Sequence, residues 1–257
     1  MPSLLIIGWG YTAQQLARHL PPSEWRIYAS SRQVSSLTAT HYPHVNLIPF
    51  QSSTLLEQLR CCTHLLVTTP CDHTGADPLL AILNAHDTMQ SIHLDWLGYL
   101  SSTGVYGDYQ GAWVDESSPL NSTQGRGHAR QQAEQAWQSF AKQFEFPLHI
   151  FRLAGIYGPE RNAIERVLQG QSYCITKANQ VFSRIHVVDI ARALTLSMQH
   201  PTPNRIYNLA DDLPSPPEDV YDFACQLLGR PALPRIHHDA EEVSAMTRQF
   251  FQACRKV

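Results

Sequence analysis

Basic residues are outnumbered by acidic ones, 19 Lys and Arg against 22 Asp and Glu for a formal net charge of -3, and they nowhere form a run. A nucleic-acid partner calls for a basic face, so polynucleotide binding is set aside. Long apolar runs are missing as well. No stretch approaches the roughly 18 apolar residues of a membrane span, and the first apolar segment, Leu4 to Ile7, starts too near Met1 for a charged leader and cleavage site. No membrane association and a cytoplasmic location are expected. The six cysteines, at 61, 62, 71, 174, 225 and 254, contain no CxxC pair and no regular ladder, which points to reduced thiols. The 13 histidines offer no metal-ligand spacing: His41 and His44 are separated by a proline, and the adjacent His237 and His238 are not expected to converge on one ion. No metal is therefore assigned. A GxSxG elbow is absent too, which removes the hydrolase reading.

What is present is an ordinary globular composition, 43% hydrophobic and 16% charged over 257 residues. A chain of this size buries roughly three quarters of its unfolded surface. Short Leu/Ile/Val runs alternate with amphipathic stretches, the pattern of a parallel sheet wrapped by helices. Strands are predicted over 4–7, 26–30, 45–49, 64–68, 96–101 and 148–153. Helices are predicted over 12–20, where Pro21 and Pro22 stop the pattern, and from Pro78, behind Asp77 as N-cap, to about His93. A further helix carries Ala129, Ala133, Ala136, Trp137 and Phe140 at three- and four-residue spacing. The small residues of that face would permit close approach of a second copy, so a homodimer is one expected assembly. After residue 153 the alternation loosens and proline becomes frequent.

The chemistry begins at Leu4-Leu-Ile-Ile-Gly8-Trp-Gly10-Tyr-Thr-Ala13, a buried strand turning through GxGxxA into a helix. Gly8 permits the tight turn, Gly10 lets the backbone approach a pyrophosphate, and Ala13 keeps helix and strand close. The first helical amides, near Tyr11 and Thr12, then face the phosphates. This context predicts a Rossmann-type α/β fold, a doubly wound parallel sheet, with a dinucleotide-binding domain over 1–155. A smaller C-terminal substrate lobe is expected over 156–257, with strand and helix returns to the core. About 20 residues after the glycine turn an NAD site places a carboxylate on the ribose, whereas an Arg accommodates a 2′-phosphate. Here the chain reads Ala29-Ser30-Ser31-Arg32. Serine hydroxyls and the Arg32 fork favour NADP, with NAD as the alternative.

Three further strings resemble the extended short-chain dehydrogenase/reductases, the group of NAD-dependent epimerases and dehydratases, and with the glycine turn they span most of the chain. They are Ser101-Ser-Thr-Gly-Val105-Tyr106-Gly107, Arg152-Leu-Ala-Gly-Ile-Tyr157-Gly158-Pro159-Glu-Arg161, and Arg184-Ile-His186-Val-Val-Asp189 followed by Tyr207-Asn208-Leu-Ala. The resemblance implies that Ser102 hydrogen-bonds the reacting oxygen of a small-molecule substrate, sugar-nucleotide-like or another hydroxyl or carbonyl compound. It further implies that Thr68 and Thr69 lie where the backbone passes the cofactor.

Two departures qualify this picture. The glycine spacing is GxGxxA rather than GxxGxxG, with Ile7 at the family's first glycine. The catalytic YxxxK pair is also absent: counting back from Glu134, the Tyr position falls on Arg126 and the Lys position on Arg130. Arginine cannot lose its proton in a protein, so Arg126 cannot act as acid or base. It could grip an anionic substrate group, while Arg130 could hold the ribose. Tyr106 and Tyr109 are candidate proton donors. His128, two residues from Arg126, points about 200° away around the helix. Two classes follow, an NADP-dependent oxidoreductase or epimerase with an atypical site, and a catalytically silent nicotinamide-nucleotide-binding protein. The chain ends at Val257 where a further short segment of the substrate lobe is expected.

Overall fold

The computed structural model describes residues 1–33 and 42–257. The strands are β1 (Ser3–Ile7), β2 (Arg26–Ser31), β3 (Val45–Pro49), β4 (His64–Val67), β5 (Trp96–Ser102), β6 (Leu148–Leu153), β7 (Gly155–Tyr157), β8 (Cys174–Thr176), β9 (Arg184–His186), β10 (Arg205–Leu209) and β11 (Arg235–His237). The α-helices are α1 (Tyr11–His19), α2 (Ser52–Leu59), α3 (Pro78–Asn84), α4 (Gly125–Phe144), α5 (Ala163–Leu168), α6 (Val187–Gln199), α7 (Pro217–Leu227) and α8 (Ala245–Phe250).

Seven strands form one sheet in the order β10-β6-β5-β4-β1-β2-β3. Pairing is parallel between β1 and β2, β1 and β4, β2 and β3, and β4 and β5. The strand order 3-2-1-4-5-6 is that of a doubly wound dinucleotide-binding fold, with the switch point between β1 and β4. The strands are apolar because both faces of a parallel sheet are covered: all of β1 and β4 is buried, and their core continues into Leu55, Leu59, Leu79, Leu83 and Trp137.

The chain divides into two compact units. The first comprises Met1–Ser102, Gln124–Arg152 and Val187–Tyr207; the second comprises Thr103–Thr123, Leu153–His186 and Asn208–Val257. The first unit takes in the chain return at Val187–Tyr207, and the second takes in the earlier stretch Thr103–Thr123. Helix α6 returns to pack on α1 in the first unit, whereas Val105, Tyr106 and Val114 form a small apolar cluster of the second. In that second unit β7 pairs with β9 and β8 with β11, each in parallel. Val167 of α5 and Ala224 and Cys225 of α7 supply another small core.

Local signals fix most boundaries. Asp77 caps α3 by accepting from the Leu79 and Leu80 amides at 2.8 and 3.2 Å, with Pro78 at the first helical position. The helix ends at Asn84 rather than near His93, because His86 turns extended and a separate 3-10 turn covers Asp87–Ser91. In α4, Ala129, Ala133, Trp137 and Phe140 are buried as their spacing implies, but Ala136 is exposed. Ala136 is offset from the Ala133–Trp137 stripe by about 100° per residue. No helix among the described residues is long and apolar enough to cross a membrane.

Candidate functional site

Strand β1 runs into Gly8, whose φ of +100° is a conformation that L side chains rarely adopt. A Cβ built there would lie 2.7 Å from Thr68 Oγ1 and 3.0 Å from Thr69 Cγ2, so only glycine fits between β1 and the end of β4. Two polar clips hold the turn. The Gly8 amide donates to Ser30 Oγ at 3.2 Å. The Thr68 hydroxyl donates to the Ile7 carbonyl at 3.0 Å and to the Gly8 carbonyl at 2.8 Å. Thr68 thus helps shape the turn, and buried Ser30 works with it.

Gly10 plays the opposite part. It is the N-cap of α1, and among the described residues no side chain caps that helix and a Cβ at Gly10 would meet no heavy atom within 4 Å. The backbone thus borders open space where the positive end of the helix dipole begins. Beside the turn, Thr69 Oγ1 is buried with no hydrogen-bond partner among the described residues. An orphaned buried hydroxyl next to an open helix N-terminus fits a polar, anionic group. Tyr11 is partly exposed and Thr12 buried at the start of α1. At the end of β2, Ser31 Oγ accepts from the Gln33 amide at 3.1 Å, and Arg32 is exposed.

The end of β5 and the start of α4 make the second part of the first unit's site. Ser102, the last residue of β5, is partly exposed. Its neighbour Ser101 is buried and donates to Glu134 Oε1 at 2.5 Å. Glu134 is paired with Arg152 at 2.8 Å, and both are at most 3% exposed. Arg152 Nε also donates to both carboxylate oxygens. The first residue of the RxxxxYGPxR string is thereby tied to α4 and β5. Two charges this deeply buried need such a complete set of hydrogen bonds.

Arg126 and Arg130 lie on the first turns of α4. Arg126 is exposed. The Arg130 guanidinium donates to the Tyr99 hydroxyl at 2.9 Å and to the Leu100 carbonyl at 3.2 Å, and it lies over the Tyr99 ring at 5.6 Å. Burial pushes the Tyr99 phenol well above its ordinary value and so keeps it a neutral hydroxyl, against the opposing pull of Arg130. Cys71, near this group, has its thiol pushed up by burial despite Arg130.

In the second unit Tyr106 is fully buried and donates to Asn208 Oδ1 at 2.8 Å. Tyr109 donates to the Pro119 carbonyl at 2.7 Å. Both hydroxyls that looked like proton donors in the sequence thus serve to fasten loops. Their partners are 102 and 10 residues away, respectively, and the first of these pairings has no local signal in the sequence. His237, His238 and Asp239 do place one ligand atom each within 4.8 Å of one another, so adjacent histidines in the turn after β11 converge more than their spacing suggested. Of the other pair, His41 lies outside the described residues, and His44 Nε2 contacts the Ala17 carbonyl at 2.8 Å. Ser30, read in the sequence with Ser31 as a phosphate donor, is instead buried and accepts from the Gly8 amide, and sequence reading missed the Glu134–Arg152 pairing.

A mostly parallel sheet in this order, with a glycine turn at its switch point, defines a Rossmann-type protein. The chain belongs to the NAD dependent epimerase/dehydratase family, whose model matches residues 72–210. It is 25% identical over 239 residues to Protein YeeZ of Escherichia coli K12, an alignment covering 89% of this chain and 85% of YeeZ. Among solved structures it is similar to a conserved protein of unknown function from Silicibacter pomeroyi. That match has 42% identity and a TM-score of 0.90 over 100% of this chain and 89% of the other. It also shares its fold with dTDP-glucose 4,6-dehydratase from Bacillus anthracis in complex with NAD, at 15% identity and a TM-score of 0.76, covering 99% and 92% of the two chains.

Proposed function

We propose that this protein binds a nicotinamide dinucleotide at the β1–α1 glycine turn, preferring NADP. In this reading it acts as an oxidoreductase or epimerase on a sugar-nucleotide-like or other hydroxyl/carbonyl substrate. The observation that carries the reading is the turn itself, where among the described residues there is open space in front of Gly10, no side-chain cap on the helix N-terminus and no partner for the Thr69 hydroxyl. The first amides of α1, at Tyr11 and Thr12, would take the pyrophosphate. Ser31 and Arg32 would take a 2′-phosphate, since β2 ends without a carboxylate. When bound, the nicotinamide supplies a hydride acceptor or donor. The protein's own part is to hold the substrate oxygen on the Ser102 hydroxyl and to grip anionic or ribose groups with Arg126 and Arg130. Neither arginine can carry the proton, which then travels on water or on the substrate. Six free thiols are compatible with a reducing, cytoplasmic setting.

Titration of the protein's fluorescence with NADPH and NADH tests the cofactor reading. NADPH is expected to bind more tightly, and Arg32→Ala is expected to abolish the difference. Equal affinities in wild type would refute the NADP assignment, and binding of neither would remove the whole reading.

A second reading, a nucleotide-binding protein without turnover, is favoured by one contact. Arg130 is already engaged by Tyr99 and Leu100 inside the protein. Restoring the pair with Arg126→Tyr and Arg130→Lys separates the two. If the missing pair limits the chemistry, NADPH consumption with a panel of carbonyl substrates rises in the double variant. If it stays at zero in both proteins, the silent reading stands.

A further inference from the structure

Residues 253–257 are fastened to the second unit far more thoroughly than a chain segment without helix or extended strand requires. The Tyr109 and Gly111 amides both donate to the Cys254 carbonyl at 3.0 Å. The Lys256 amide donates to Ala112 at 3.0 Å, and the Val114 amide donates back to Lys256 at 2.9 Å. The Cys254 amide reaches Asp108 Oδ1 at 2.8 Å, and the Val257 amide reaches Ser183 Oγ at 3.0 Å. Gln180, itself buried, donates to the Ala253 carbonyl at 3.0 Å. Side chains complete the attachment: Val257 packs on the Val105–Tyr106–Val114 cluster, and Arg255 donates to the Gly107 carbonyl at 2.9 Å. Gly107 has a φ of +72°, and a Cβ there would lie 2.8 Å from the Asn121 backbone, so the turn packs closely on Asn121 at the residue whose carbonyl Arg255 holds.

We propose that residues 253–257 are a strap holding the Val105–Tyr106–Gly107 turn in place, and that Arg255 is a positioning residue for substrate recognition by the second unit. The strap's own bonds end at Gly107, and the turn passes the constraint on. Tyr106 presents its hydroxyl to Asn208, and its carbonyl accepts from the Asn121 amide at 3.1 Å. Without Arg255 the half-buried Gly107 carbonyl loses a charged donor, and the turn opens more often. The substrate role rests on the sugar-nucleotide reading above; the strap does not.

Amide hydrogen exchange on the full-length protein decides the strap. Arg255→Ala is expected to raise exchange at the Gly107 and Asn121 amides at least tenfold, while amides of β1 and β4 keep their protection. Arg255→Lys, which keeps a cationic donor, is expected to recover part of the loss. Unchanged exchange at Gly107 and Asn121 in the alanine variant overturns the strap. Binding is then measured with UDP-glucose as the probe and NADPH present. Arg255→Ala is expected to weaken UDP-glucose about tenfold and to leave NADPH affinity unaltered. A loosened turn with unchanged UDP-glucose affinity overturns the positioning role. Should wild type bind no UDP-glucose, the sugar-nucleotide reading and the role built on it fall, and the exchange result still settles the strap.

Discussion

Gly8 and Gly10 stand two residues apart and are glycine for different reasons. Gly8 has left-handed backbone and no room, with Thr68 Oγ1 2.7 Å from where a Cβ would stand; Gly10 has ordinary backbone and open space before it. The two positions therefore predict opposite outcomes. Gly8→Ala should cost about 1–3 kcal/mol of stability from backbone strain, before any movement of Thr68, as read by urea unfolding. Gly10→Val should leave the circular dichroism and unfolding midpoint near wild type while abolishing NADPH binding, because the branched side chain fills the space beside the first helical amides. A folded Gly10→Val protein that binds normally would take the turn out of the site. Both glycines were legible in the sequence as one motif. Their division of labour was not, since it depends on Thr68 and Thr69, which are brought to the turn by the pairing of β1 with β4.

Helix α4 joins the two halves of the first unit's chemistry at the level of elements. Its first turns carry Arg126 and Arg130, and its next carries Glu134, which holds β5 through Ser101 and β6 through Arg152. Three elements thus meet on one buried carboxylate. Glu134→Ala leaves Arg152 without its carboxylate at 3% exposure, and the loss of one partner from a buried pair costs about 3–5 kcal/mol. The urea midpoint should fall accordingly. Ser101→Ala, which removes one neutral donor, should cost about 1 kcal/mol. A Glu134→Ala protein as stable as wild type would mean that the pair contributes nothing to holding α4 on the sheet. In the sequence Glu134 is the mark from which the missing YxxxK positions are counted, and Arg152 is the head of a motif. That the two touch follows from β6 lying beside β5, a fact of sheet order.

For the first unit's fold as a whole, pH is the informative variable. His149 is fully buried, its Nδ1 sharing a hydrogen bond with Ser197 Oγ at 2.5 Å while Trp96 Nε1 donates to the same serine at 2.9 Å; its Nε2 meets the Thr202 carbonyl. Burial holds its pKa below the ordinary 6.5, partly offset by Thr202. His64, against Trp25, is lowered by burial as well, partly offset by Asp95. With both folded values depressed, the native protein keeps these imidazoles neutral while the unfolded chain takes up protons first. Stability is therefore full above about pH 6.5 and is lost as pH falls from there through the folded pKa values. Urea midpoints measured from pH 8 to 5 should drop most steeply below 6.5, and His149→Gln should flatten that drop. A pH-independent midpoint across this range would contradict it.

The sequence by itself determined the parts whose causes are local. A buried β1, a glycine turn and α1 follow one another within 19 residues. The Asp77–Pro78 start of α3 is a capping arrangement complete within four residues, and apolar runs of strand length announce a parallel sheet. Tertiary structure decided which groups remain available for chemistry. Thr68, Tyr106, Tyr109 and Arg130 have the right chemistry for a site, yet each is bound to a partner within the protein. Thr69 keeps a buried hydroxyl without one among the described residues. A side chain's type is written in the sequence, but its availability depends on hydrogen-bond partners up to 102 residues away. Those partners are chosen by strand order and chain return, to which the local pattern of residues is blind.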